Sequence, residues 1–161
     1  MLDGFATLDA TPRHPRFPKL VRGFPTANGH GRLAVDPDAD RLSLVDETGT
    51  AMGEDYTLAL AVAVALGHAP GPVVTNLSTS QVVEDVARSF DCPLVRASVG
   101  EVNVARRMQK EGAVVGGEGN GGVILPALHH TRDAPLASAL ILQHLATQGD
   151  SLSALADRRS E

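Results

Sequence analysis

Short apolar runs alternate with helix-length segments from residue 31 to residue 146 of this sequence. The runs are three or four residues long and rich in Val and Leu, which is typical of buried strands. Strands are predicted at residues 33–35, 42–45, 72–75, 93–96 and 113–116, and helices at about 53–67, 79–90, 101–110 and 132–146. Ser78 is expected to cap the second helix. Strands that alternate with helices predict an α/β fold, a mixed β-sheet with helices on its faces.

The same patterns divide the chain into four parts. Residues 1–31 contain four prolines and no sustained periodicity, which predicts a loop-rich N-terminal arm. Residues 32–52 hold two strands around an acidic loop, and residues 53–147 hold the alternating strands and helices of an α/β domain. Residues 148–161 are polar and are expected to form a fraying tail.

Charge and apolar content exclude two classes of partner. The net charge is −5 without a long basic run, whereas nucleic-acid binding requires clustered Lys and Arg. The longest apolar stretch, residues 58–66, is shorter than the roughly 20 residues that cross a bilayer. No signal peptide is visible, and the single cysteine, Cys92, excludes a disulfide framework. We therefore expect a cytoplasmic protein that binds neither nucleic acid nor membrane.

Three aspartates alternate in the loop between the first two predicted strands: Asp36, Asp38 and Asp40. Such carboxylates can converge on one hard cation, and Mg²⁺ prefers a few carboxylates together with a substrate phosphate. Arg41 follows directly and could hold that phosphate with its planar guanidinium. The alternatives are a solvated acidic turn and an EF-hand, in which Arg41 would occupy the position that requires Gly. The pattern favours a Mg²⁺ site that faces an anionic substrate.

Glycines crowd residues 117–126, and Gly117, Gly119 and Gly122 satisfy the spacing G-x-G-x-x-G. A dinucleotide loop also requires a helix directly after the glycines. Residues 123–125 are rich in β-branched side chains, and Pro126 removes a donor from the first helical turn. A dinucleotide site is therefore rejected, which leaves a tight turn or a loop that binds a sugar.

Three segments in this order resemble the α-D-phosphohexomutases, the family of phosphomannomutase, phosphoglucomutase and phosphoglucosamine mutase. Segment 36–41, DPDADR, resembles their metal loop, and segment 117–121, GEGNG, resembles their sugar-binding loop. Between them, segment 98–105, SVGEVNVA, is similar to the one that precedes the substrate-facing helix of their third domain. The resemblance covers residues 31–147, the end of the family's second domain and essentially its third. The glycine loop with Asn120 most resembles that of the archaeal-type phosphoglucosamine and phosphomannose mutases.

The resemblance implies a metal and a catalytic residue. Asp36, Asp38 and Asp40 would hold Mg²⁺ together with a phosphoserine oxygen. Arg41 would be the catalytic residue that steadies the phosphoryl group. The fold implied is that of the family's third domain, a mixed sheet with helices on its faces.

The resemblance also implies the substrate contacts. Glu118 would accept hydrogen bonds from adjacent sugar hydroxyls, Asn120 would contact the same sugar, and the glycines would bring the backbone close to the ring. Gly100 and Glu101 are further expected contacts. Glu101 falls where many members carry a His near the reacting hydroxyl, which suggests proton transfer. A carboxylate that interacts with the helix dipole is the alternative. Asn76 falls near a position where many members have Lys.

The function implied is that of the sugar-recognition and Mg²⁺-loop portion of a phosphosugar mutase, an isomerase of hexose or hexosamine phosphates. No serine in the chain is followed by His-Asn-Pro, the family's phosphoserine signature, and the family's phosphate-binding fourth domain has no counterpart. The chain is therefore expected to be a truncated mutase, inactive alone, whose partners are missing domains in trans or a second copy. The alternative is a non-catalytic sugar-phosphate-binding or oligomerising unit derived from a mutase. A phosphatase with an Asp nucleophile is disfavoured because Arg41 follows Asp40.

Overall fold

The computed structural model describes residues 31–149 and 151–157 of the 161-residue chain. The arm predicted for residues 1–31 lies, apart from Gly31, outside the described residues. The elements in chain order are β1 (Arg32–Val35), β2 (Leu42–Val45), α1 (Glu54–His68), β3 (Val73–Asn76), α2 (Val82–Ser89), β4 (Leu94–Ala97), α3 (Glu101–Glu111), β5 (Val115–Glu118), β6 (Gly122–Ile124), α4 (Ala134–Gln148) and α5 (Leu152–Asp157).

The main sheet is mixed and has the strand order β4-β3-β5-β6. Strands β4, β3 and β5 are parallel, and β6 pairs with β5 in the antiparallel direction. Parallel strands require long crossover connections. Helix α2 supplies the one between the neighbours β3 and β4, and α3 connects β4 to β5, which lies on the other side of β3. The glycine-rich segment is the hairpin between β5 and β6, so residues 123–125 do not begin a helix. The predicted α/β fold with a mixed sheet is confirmed.

Helices cover both faces of this sheet because side chains alternate along each strand. Val73, Val115 and Val123 point into the larger core cluster with α1, α2 and α4, whereas Val74 and Ile124 belong to a second cluster with α3. Helix α1 is apolar on all sides, and its residues from Thr57 to Leu66 are buried. β1 and β2 form a separate antiparallel hairpin, and its connection is the acidic loop.

The start of α2 differs from the prediction that Ser78 caps it. The helix begins at Val82, and its N-cap residue, Gln81, makes no side-chain capping bond. The polar side chain that orders this connection is Asn76, whose Oδ1 accepts hydrogen bonds from the backbone N–H groups of Ser78 and Thr79 at 3.1 and 3.0 Å. A side chain at the end of β3 therefore organises the turn that follows it.

The C-terminal segment also differs from the predicted polar tail. Residues 152–157 form α5, and Leu152 and Leu155 are buried in the larger core cluster. Glu47, in the turn after β2, contacts this helix. Its carboxylate accepts hydrogen bonds from the hydroxyl of Ser153 and from the Ser153 N–H at 3.3 Å. Burial raises the pKa of Glu47, but the bonds from Ser153 and Ser151 outweigh it and lower the pKa to about 2.

Within residues 31–149 and 151–157, none of the helices combines the length and the apolar character needed to cross a membrane.

Candidate functional site

Glu118 is the last residue of β5, and its carboxylate is almost fully buried, with 3% of the residue exposed. Oε1 accepts hydrogen bonds from Asn76 Nδ2 at 2.8 Å and from the backbone N–H of Gly100 at 2.9 Å. Oε2 accepts one from Arg132 Nη1 at 2.8 Å. Asn76 ends β3 and Gly100 follows β4, and both of these strands run parallel to β5. Glu118 therefore lies at the edge formed by the carboxyl ends of the parallel strands. This is the edge at which open α/β sheets bind ligands.

The hydrogen bonds of Glu118 leave little room for another donor. A carboxylate offers about four acceptor positions, two on each oxygen. Among the described residues, Asn76 and Gly100 use both positions of Oε1, and Arg132 uses one position of Oε2. A ligand hydroxyl that approaches this arrangement finds its acceptor on Oε2.

Arg132 links three acidic side chains from different segments. Besides Glu118, its guanidinium contacts Asp40 through Nη2 and lies 3.5 Å from Glu101 Oε2 through Nε, too far for a hydrogen bond. Its backbone N–H donates to Glu101 Oε1 at 2.9 Å. Arg132 belongs to no motif, so the sequence does not indicate it as a site residue. The available signal is its place in the loop after β6, directly before Asp133, the residue that caps α4.

The glycines of segment 117–122 allow close approach between parts of the protein. A Cβ at Gly122 would lie 2.2 Å from Arg132 Cδ, and one at Gly119 would lie 2.2 Å from Asp55 Oδ1. Gly121 has a φ of +89° and a Cβ there would lie 2.4 Å from the carbonyl oxygen of Leu42. These internal contacts are sufficient to explain the glycines. The expected close approach of the backbone to a sugar ring is not needed to explain them.

The acidic loop uses its own side chains to hold its shape. Asp36 is 2% exposed, and its Oδ1 accepts hydrogen bonds from the N–H groups of Asp40 and Arg41 at 3.1 and 3.2 Å. Its Oδ2 accepts one from Arg41 Nε at 2.7 Å. Burial raises the pKa of Asp36, but the bonds from Arg41 and Asp40 outweigh it, so the pKa is lowered.

The Asp40 carboxylate lies between two arginines, with Arg41 Nε at 3.4 Å and Arg132 Nη2 in contact. Burial nevertheless raises its pKa, because the favourable charge of Arg132 is opposed by the neighbouring carboxylate of Asp36. For Arg41, burial lowers the pKa, but the hydrogen bond to Asp36 and the charges of Asp36 and Asp40 outweigh it, so the pKa is raised. Arg41 therefore keeps its positive charge.

The three aspartates expected to hold a cation do not converge in this arrangement. Among the residues that the structure describes, no three His, Cys, Asp or Glu side chains form a group that could hold a metal ion. Asp36 is turned into its own loop, Asp40 faces Arg132, and Asp38 is exposed. Carboxylate oxygens suit Mg²⁺, but the arrangement as it stands does not fit the ion, because the guanidinium groups of Arg41 and Arg132 take its place as counter-charges.

The remaining expected contacts lie at the same edge. Gly100 precedes α3 with a φ of +116° and donates to Glu118. Glu101 lies in the first turn of α3, where the helix dipole favours a carboxylate, and it also accepts from Arg132. Asn120 Oδ1 accepts from the N–H of Gly122 at 3.3 Å, so its amide nitrogen is the end of the side chain available for a ligand oxygen. The structure thus brings Gly100, Glu101 and Glu118 together.

The family described as phosphoglucomutase/phosphomannomutase, alpha/beta/alpha domain III, matches residues 53–161. A phosphoglucomutase/phosphomannomutase of Thermococcus kodakarensis is 37% identical over 126 residues, 78% of this chain and 28% of its own length. A phosphoglucosamine mutase of Variovorax paradoxus is 37% identical over 125 residues, 76% of this chain and 28% of its own.

The fold is shared with solved structures. A phosphoglucomutase/phosphomannomutase family protein from Burkholderia thailandensis superposes with a TM-score of 0.76 at 21% identity, over 91% of this chain and 32% of that one. The chain spans about a third or less of the length of the relatives that it matches. The match over residues 53–161 and the identity to these relatives show that the chain belongs to the phosphohexomutase family and includes its α/β/α third domain.

Proposed function

We propose that this chain is the sugar-recognition and metal-loop portion of a phosphosugar mutase, an isomerase that moves a phosphoryl group between two oxygens of a hexose or hexosamine phosphate. The observation that carries the proposal is the buried carboxylate of Glu118 at the carboxyl edge of the sheet. A carboxylate held in this way can accept a hydrogen bond from a sugar hydroxyl. The names of the relatives from Thermococcus kodakarensis and Variovorax paradoxus, both mutases of sugar phosphates, support the substrate class.

In this proposal the sugar contacts come from the hairpin between β5 and β6 and from the start of α3. Glu118 accepts from a hydroxyl of the ring, and the amide nitrogen of Asn120 donates to a ring oxygen or hydroxyl. Gly100 and Glu101 lie beside Glu118 and border the same position. Glu101 is half-buried and bonded to Arg132, so we propose a contact with substrate for it and derive no proton transfer.

Arg41 is the proposed catalytic residue. Its side chain is 30% exposed at the acidic loop, and Nε is held by Asp36, which fixes the direction of the guanidinium. Because Asp36 and Asp40 raise its pKa, the group stays charged. A fixed guanidinium can neutralise phosphoryl oxygens as charge moves onto them.

Mg²⁺ binding at Asp36, Asp38 and Asp40 stays a prediction. Binding of the ion would require the ion pair between Asp40 and Arg132 to break, because only then can the Asp40 carboxylate face an ion. No step of the reaction is therefore derived through the metal.

Turnover is proposed to require more than this chain. The phosphoserine signature implied by the family resemblance is absent from the sequence, and the relatives are about three times longer than the matched segment. We propose that the family's remaining domains, or a second copy of this chain, complete the site. The cytoplasm is the compartment we propose, because the single cysteine, Cys92, is typical of proteins kept in a reducing environment.

A non-catalytic sugar-phosphate-binding or oligomerising unit is the second candidate. The observation that favours it is the internal neutralisation of the acidic loop, where Arg41 and Arg132 already pair with Asp36 and Asp40. Such a loop can be maintained for stability without a metal.

Calorimetric titration of the full 161-residue chain with glucosamine 6-phosphate tests the proposed function, alongside a mutase assay with a bisphosphosugar activator. The mutase portion and a sugar-phosphate-binding unit both predict binding, but only the mutase portion predicts turnover when the family's other domains are added. A chain that binds no hexose or hexosamine phosphate contradicts the mutase portion and leaves the oligomerising unit.

A further inference from the structure

We propose that Arg132 is a positioning residue and a determinant of sugar specificity: it holds the Glu118 carboxylate in one orientation and connects it to Asp40 of the acidic loop. This inference rests on the proposed sugar-phosphate site. Arg132 itself is not assigned a contact with the reacting atoms. Its role follows from the contacts of its guanidinium with Asp40, Glu101 and Glu118.

The geometry of a guanidinium is required for this arrangement. Nη1 binds Glu118 and Nη2 binds Asp40, so the two terminal nitrogens of one rigid plane hold two carboxylates at once. A lysine ammonium is a compact point charge on a flexible stem and has no such fork. Without Arg132 the carboxylates of Asp40, Glu101 and Glu118 would face one another, and among the described residues Arg41 would be the cation left to pair with Asp40.

The consequence for a ligand lies in the acceptor positions of Glu118. Asn76 and Gly100 fill Oε1, and Arg132 fills one position of Oε2. The carboxylate can then accept a ligand hydroxyl in one direction, which favours sugars whose hydroxyl points that way. If Arg132 is lost, Oε2 gains a second open position and the carboxylate can turn. Binding of the favoured epimer should weaken, and discrimination between epimers should fall.

Gly122 provides an independent observation for the same role. A Cβ at this position would lie 2.2 Å from Cδ and 3.0 Å from Cγ of Arg132. The Arg132 side chain therefore passes directly over the backbone of β6 on its way to Glu118. A methyl group at Gly122 would displace Arg132 without removing any charge from the site.

The first arm of the test is an NMR measurement on the full chain without ligand. The reporters are the Gly100 amide and the Asn76 side-chain amide, because both donate to Glu118 Oε1. We expect both signals to shift in Arg132→Gln and Gly122→Ala, and to shift less in Arg132→Lys, which keeps the charge. Arg88→Gln is the control, since Arg88 pairs with Glu84 and Asp85 on the exposed side of α2, and it should leave both signals unchanged. Unchanged signals in both Arg132→Gln and Gly122→Ala would overturn the proposal.

The second arm measures affinity for glucosamine 6-phosphate and for its 4-epimer, galactosamine 6-phosphate. We expect Arg132→Gln to reduce the ratio of the two affinities by about tenfold, the effect of one hydrogen bond to a charged group, and Arg88→Gln to preserve it. An unchanged ratio in Arg132→Gln, with wild-type affinity, would overturn the specificity role. If the wild-type chain binds neither sugar, the proposed function fails and the specificity role fails with it, whereas the positioning of Glu118 is still decided by the NMR arm.

Discussion

The side-chain amide of Asn76 donates to the carboxylate of Glu118 at 2.8 Å, across 42 residues of sequence. The other end of the same amide, Oδ1, accepts from Ser78 and Thr79 in the turn that follows β3. One buried side chain thus joins the ends of two parallel strands and orders the turn that follows β3.

Asn76→Ala is expected to destabilise the chain by about 1–3 kcal/mol, because the buried carboxylate of Glu118 loses a donor and the N–H of buried Thr79 loses its acceptor. Urea unfolding of the purified variant measures this loss. Asn103→Ala is the control, since Asn103 makes an exposed bond to the carbonyl oxygen of Val99, just before α3, and its removal should cost less than about 0.5 kcal/mol. Equal stability of Asn76→Ala and wild type would contradict the role of this bond.

Gly121→Ala should also destabilise, for a backbone reason. A φ of +89° is costly for a residue with a Cβ, by about 1–2 kcal/mol, and the added methyl would meet the Leu42 carbonyl oxygen. Gly67→Ala is the matched control, because Gly67 lies in α1 with open space around it and alanine there should stabilise by up to about 1 kcal/mol. Thermal unfolding that ranks the two variants in the opposite order would show that the hairpin adapts to a side chain.

The pH dependence of stability should report the contact between Glu47 and Ser153. The folded-state pKa of Glu47, about 2, lies below its ordinary value of 4.5. A lowered carboxyl pKa gives stability that is present above the unfolded pKa and is lost as the pH falls from 4.5 towards 2. Glu47→Gln and Ser153→Ala should therefore lose less unfolding free energy than wild type between pH 6 and pH 3. Identical losses in all three proteins would rule out this contribution.

Mg²⁺ should bind the acidic loop weakly, at roughly millimolar concentration or above. Arg132 is paired with the Asp40 carboxylate, so water must supply most of the ligands of the octahedral ion. NMR titration should show changes at Asp36, Asp38 and Asp40. Arg132→Gln should move the changes to lower Mg²⁺ concentration, since it releases Asp40. A titration without any change at these three residues up to high millimolar Mg²⁺, in both proteins, would exclude the metal site.

Apart from β6 and α5, the order of strands and helices could be predicted from the sequence, because apolar periodicity and glycine or proline breaks are local signals. Residues 123–125 could be excluded from a helix for the same reason. Helix α5 could not be predicted, since it is a short helix whose two buried leucines, Leu152 and Leu155, form no repeated pattern. Its position depends on the core and on Glu47, which are contacts over long sequence distances.

The site was predictable only in part. Glu118 and Asn120 lie in a motif, and Glu101 lies at the start of a predicted helix, so all three could be chosen from the sequence as candidate site residues. The convergence of Asn76, Gly100 and Arg132 on Glu118 depends on the strand order β4-β3-β5-β6, which local sequence does not encode. For the same reason, the pairing of Asp40 with Arg132, 92 residues away, was missed, and the aspartates were expected to converge on an ion.

The most direct measurement of the central claim is the affinity of Glu118→Gln for glucosamine 6-phosphate. The amide keeps the shape of the side chain but loses the charge that strengthens a hydrogen bond to a hydroxyl. The loss is about 1.5–3 kcal/mol of binding free energy, which corresponds to a roughly tenfold to hundredfold larger dissociation constant. Glu111→Gln is the control, because Glu111 pairs with Arg107 at the far end of α3 and should bind like wild type. We predict that Glu118→Gln alone loses affinity, whereas wild-type affinity in Glu118→Gln would contradict a sugar site at this carboxylate.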